Sequence, residues 1–114
     1  MEGEPVRRHV ADLVQKYKKP VYGLFVANKI DSNTAETFRM GVWYTTQDER
    51  LELHIETLTL TKFSEYFKFI FTENFEKKKK IVDLMCNCEN YRKICEGPEW
   101  KKCINEVVQI MTKR

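Results

Sequence analysis

Seven consecutive residues, Val21 to Ala27 (VYGLFVA), carry no charge and show no alternation of polar and apolar positions. Such a run, between Pro20 and Asn28, reads as a short strand buried on both faces, and strands of that kind are typical of parallel sheets. A parallel neighbour requires a crossover, so a helix and a second strand must follow. The stretch ERLELHIETLTL (49–60) fits the second strand. In it Leu51, Leu53 and Ile55 alternate with Glu52, His54 and Glu56, which predicts one apolar face and one solvated face.

The crossover helix is predicted in DSNTAETFRMGVWYT (31–45), with Ser32 or Asn33 as cap and Glu36 three residues past Asn33 in a capping-box-like arrangement. Ahead of the first strand, Val6, Val10, Leu13, Val14 and Tyr17 recur at helical spacing from Glu4 to Tyr17, with Pro5 suited to a first turn and Arg7, Arg8 and Lys16 turned outward. After the second strand, Thr61 is a candidate cap for a helix with a Phe63, Phe67, Ile70, Phe71 stripe. More helix is expected through Ile81, Val82, Met85 and Cys88. Gly97-Pro98 opens a last helix on which Trp100, Cys103, Ile104, Val107, Val108 and Met111 trace one face. The expectation is an α/β fold: a small, mainly parallel sheet flanked by helices, with a core over 1–75 and a helical C-terminal extension of the same domain over 76–114.

At 114 residues the chain is sized for one domain. Its 20 basic and 17 acidic residues give a net charge of +3, too balanced to imply nucleic-acid binding by bulk charge. No apolar run approaches the roughly 18 residues of a membrane span, and MEGEPVRRHV lacks the apolar region of a signal peptide. A cytoplasmic protein without membrane contact is expected. Cys86, Cys88, Cys95 and Cys103 are then reduced thiols by default. A thiolate zinc site is the alternative, although intervals of one, six and seven residues do not form the usual paired knuckles.

The first strand ends in Asn28-Lys29-Ile30-Asp31, the Asn-Lys-x-Asp pattern with which GTPases read guanine. A GTPase also needs the Gly-x4-Gly-Lys-[Ser/Thr] phosphate loop, which this sequence does not contain. Asn28 and Asp31 therefore read as turn and capping residues.

Taken together, GEPVRRHVADLVQKYKKPVYGLFVANKIDSNTAETFR, the second strand and TLTLTKFSEYF resemble the C-terminal half of a PD-(D/E)xK type II restriction endonuclease domain of the AlwI kind, related to the FokI cleavage domain. The resemblance covers roughly residues 3–75 and rests mostly on the Glu-Pro-Val-Arg-Arg-His run and the Phe-Val-Ala strand. It implies an incomplete restriction-endonuclease-like fold, because in that family a catalytic hairpin bearing Pro-Asp and Asp/Glu-x-Lys precedes this helix and pairs with this strand. Those carboxylates hold Mg2+. With the hairpin absent, the chain itself is expected to hold no catalytic residue, metal or cofactor, and to meet DNA through the full-length enzyme. Arg7 and Arg8, on the helix that the family sets beside the cleft, become candidate DNA contacts. An exposed helix face is the alternative.

Other candidates read as structure. Glu76-Lys77-Lys78 and Glu99-Trp100-Lys101 match Glu-x-Lys but fall in predicted helices, where such residues diverge. Glu52, His54 and Glu56 share a strand face and suit a divalent ion, or simply water. His9 reads as a packed histidine, and Lys77 to Lys80 as a solvated run between helices. Two parallel strands make no stable sheet alone, and VYGLFVA is too apolar for a bare edge. Hence two functional readings stand: an inactive portion of a DNA endonuclease, or an interaction or oligomerisation module derived from that fold. The bare edge also predicts that the chain is a homo-oligomer.

Overall fold

The structure, a computed structural model, describes residues 4–72 and 76–112. Helix α1 (Glu4–Tyr17) turns Val10 and Ala11 into the core. It is closed by Lys18, whose N–H bonds the Val14 carbonyl and whose φ of 53° is left-handed. Strand β1 (Tyr22–Ala27) follows and runs parallel to β4 (His54–Thr59), in register from Tyr22 opposite His54 to Ala27 opposite Thr59. The two parallel strands expected from the apolar run are thus present. Strand β1 is only half-buried, however, and Tyr22 is exposed. One of its edges is also unpaired, since among the described residues β4 is the only strand paired with β1.

Helix α2 (Ser32–Met40) makes the crossover. Its cap is Asp31, not Ser32 or Asn33: the Asp31 carboxylate accepts the Thr34 N–H at 2.7 Å. Glu36 closes no capping box and instead binds Arg39 and the Gly97 N–H. The helix ends at Gly41, where φ is +59° and a Cβ would lie 2.5 Å from the Leu53 carbonyl oxygen. Only glycine fits there without strain.

The second strand, expected to run continuously from 49 to 60, is divided in the structure. Strand β2 (Val42–Tyr44) pairs antiparallel with β3 (Arg50–Glu52) in a separate hairpin, and β4 begins after Leu53. Thr45 holds the turn by accepting the N–H groups of Gln47 and Glu49. Helix α3 (Leu60–Thr72) is capped by the Thr59 hydroxyl, which accepts the Lys62 N–H, where Thr61 was expected. Its inward residues are Tyr66 and Ile70, with Phe63 and Phe67 half-buried and Phe71 exposed. The expected boundary between 75 and 76 adjoins residues 73–75, outside the described residues.

Two more helices complete the α/β fold, α4 (Lys77–Arg92) and α5 (Gly97–Met111). They carry much of the core: Leu84, Cys88, Trp100, Ile104 and Val108 bury against Phe38, Ile55, Leu58 and Tyr66. No described helix is long and apolar enough to cross a membrane.

Candidate functional site

Alternation along β4 places His54, Glu56 and Leu58 on one face. The sequence alone predicts that Glu56 meets water, yet it is fully buried, because α4 lies across that face. Helix α4 brings Glu89 and Arg92, three residues apart and hence on one side of the helix. Glu52 is not buried with them: it is exposed on β3 in the other sheet and reaches only the wall of the cleft that opens onto His54, Glu89 and Arg92.

Arg92 is the hub of this centre and is itself 6 % exposed. Its Nη1 donates to the carbonyls of Leu53 at 2.7 Å and Phe38 at 2.9 Å, and its Nη2 to the Ile55 carbonyl at 2.7 Å. Leu53 and Ile55 are two apart along the chain, so their carbonyls point the same way and the guanidinium closes one edge of β4. The same cation lies 3.0 Å from Glu89 and 3.6 Å from Glu56, over the Trp100 ring. Glu89 in turn meets His54 Nδ1 at 3.0 Å.

The two carboxyls have opposite tendencies. Burial, and then the neighbouring Glu89, push Glu56 up to about 10, so it is protonated at neutral pH. Burial works the same way on Glu89, but the neighbouring Glu56 carboxyl and the Arg92 charge outweigh it and hold Glu89 below the usual carboxylate range. The pair therefore carries one proton and one negative charge, and Arg92 balances that charge. A cleft of ≈ 320 Å³ opens onto this centre, its walls formed by His54, Glu89 and Arg92 together with Arg39, Arg50, Glu52 and Lys93.

Such a centre suits cohesion better than catalysis. Mg2+, which the resemblance implies for the family, does not fit it: the Arg92 guanidinium already lies against both carboxyls. Among the described residues no group of three or more His, Cys, Asp or Glu is placed to hold a metal ion.

The residues singled out from sequence are dispersed. Arg7 donates to the Val42 carbonyl at 2.7 Å and lies over the Trp43 ring, tying α1 to the β2–β3 hairpin, whereas Arg8 is exposed. His9 is exposed where a packed histidine was expected. Lys77 to Lys80 form the first turn of α4, not a link between helices. Asn28 is exposed and Asp31 serves as the α2 cap. Of the four thiols, Cys95 and Cys103 meet, with sulfurs 3.7 Å apart, while Cys86 is exposed and Cys88 is buried. Neither Glu89 nor Arg92 stands out in the sequence. The one available signal is a Glu-x-x-Arg spacing, which is commonplace on exposed helices.

The sequence of residues 1–66 matches the family model described as AlwI restriction endonuclease. No curated protein and no solved structure matches the chain.

Proposed function

The chain belongs to the AlwI restriction endonuclease family, and we propose that it is the portion of a Mg2+-dependent type II DNA endonuclease that supports the metal-binding hairpin and does not cut DNA by itself. The family match carries this reading, since it spans α1, β1, the β2–β3 hairpin, β4 and the first half of α3. The state of β1 adds support. Its apolar side chains are half-buried, and a strand laid along its other edge would cover them and satisfy its open N–H and C=O groups. In this reading the metal belongs to carboxylates of the hairpin, not to Glu56 and Glu89. Arg8, exposed near the start of α1, is the DNA contact, and Arg7 orients that helix.

Duplex DNA titrated against the 114-residue chain tests the reading. Binding that weakens steeply with salt is expected, falling about threefold in Arg8→Ala, as for loss of one phosphate contact. Plasmid cleavage in Mg2+ should not exceed a buffer control, and should appear when a hairpin segment carrying Pro-Asp and Asp/Glu-x-Lys is fused ahead of residue 1. Metal-dependent nicking by the unfused chain, or no DNA binding at low salt, would overturn it.

The same open edge favours a second reading, in which a copy of the chain occupies it and the protein acts as an oligomerisation module. Light scattering separates the two. A dimer that persists in the hairpin fusion supports the module, whereas a fusion that is monomeric supports the hairpin as occupant of the edge.

A further inference from the structure

A second cavity, of ≈ 310 Å³, lies where β4 ends and α5 begins, and it shares no lining residue with the Arg92 cleft. Two periodicities gather its polar groups. On β4, Thr57 and Thr59 are two residues apart and face the same way. On α5, Asn105 follows Lys101 by four residues and Lys102 by three, so the three side chains turn toward one side of the helix. Ile30 and Pro98 supply an apolar wall. Ligands of α/β proteins commonly sit beyond the carboxyl ends of parallel strands, which is where this cavity opens.

Thr57 gives the cavity a polar floor that the fold leaves unfinished. It is 3 % exposed, and its hydroxyl has no hydrogen-bond partner among the described residues. Buried hydroxyls are ordinarily paired. Lys101 donates one N–H to the Ile30 carbonyl at 3.1 Å, which fixes its ammonium at the rim with further donors to spare. Asp31 lies within reach of the Lys101 charge, but its carboxylate is engaged by the Thr34 N–H as the α2 cap.

We propose that this cavity binds a phosphate ester, its oxyanion held between Lys101 and Lys102 with Thr57, Thr59 and Asn105 as neutral donors. The Ile30 and Pro98 wall suits the sugar or base attached to that phosphate, so the ligand class is a nucleotide unit. Two sources present this chemistry, a DNA backbone phosphate and a free nucleotide. The choice of DNA rests on the proposed function, while the site itself rests on its lining.

Amide chemical shifts of the full chain, followed by NMR during titration with inorganic phosphate, thymidine 5′-monophosphate and a short DNA duplex, test the proposal. Shifts at Thr57, Thr59, Lys102 and Asn105 are expected with all three. Lys102→Met should weaken thymidine monophosphate at least threefold. Thr57→Val, which keeps the shape and removes the orphaned hydroxyl, should retain the melting temperature and also lose affinity. Monophosphate binding at these residues without duplex binding supports the site and removes the DNA reading. Duplex binding that shifts only other amides overturns the site and leaves the DNA reading standing. The site is equally overturned if neither phosphate nor monophosphate moves these amides, or if Lys102→Met changes affinity by less than threefold.

Discussion

A carboxyl group cut off from water persists only with a proton or a counter-charge, and Glu56 has both. Since it is neutral in the fold but ionised in the unfolded chain above its ordinary pKa, Glu56→Gln should be nearly silent near pH 4 and should stabilise the protein at neutral pH in urea unfolding. Arg92→Met should cost about 3–5 kcal/mol in the same measurement, because it strands the Glu89 charge and the carbonyls of Phe38, Leu53 and Ile55. The proton has a further consequence. A group whose pKa rises on folding contributes most below its unfolded value, and that contribution is lost as pH climbs toward the folded value. For Glu56 the window runs from the ordinary 4.5 to about 10. Stability should therefore decline from pH 6 to pH 9, and melting curves of Glu56→Gln should show a smaller decline. None of this was visible in the sequence. Alternation assigned Glu56 to the correct face of its strand, but whether a helix covers that face depends on α4, where Arg92 looks like any solvated helix residue.

Elements with a sustained period were legible, and those below the length of a period were not. Helices α1 and α5 show several turns of apolar spacing and begin where the sequence predicts. The β2 and β3 strands have three residues each, too short for alternation to separate them from α2 or from β4. Capping was legible by residue type, and Asp31 reads as a capping residue, but Ser32 and Asn33 compete with it as good caps and the α3 cap falls two positions before Thr61. Two variants test these ends. Asp31→Ala should lower the melting temperature by about 3–5 °C, Asp31→Asn by less, and neither should alter GTP binding, which calorimetry should find absent. Gly41→Ala should be far worse, at about 3 kcal/mol by chemical unfolding, because it strains a left-handed φ and drives a methyl into the Leu53 carbonyl.

At the scale of the whole molecule, the family match ends at residue 66 while the core does not. Leu84, Cys88, Trp100, Ile104 and Val108 come from beyond it. A fragment of residues 1–75 should accordingly give a far-ultraviolet circular dichroism spectrum of little helix and no cooperative melt; a cooperative transition would refute this. The α/β order and the parallel pair were legible because they follow from one apolar run. The dependence on α4 and α5 was not, since periodicity gives the inward face of a helix without its partner. Arg92 extends that dependence into time. Its carbonyl partners at Phe38, Leu53 and Ile55 precede it by 54, 39 and 37 residues. A ribosome adding about 5–20 residues per second leaves those carbonyls waiting roughly 2–11 s. During that interval, until Arg92 is made, the nascent strand is exposed to chaperones or to another nascent chain.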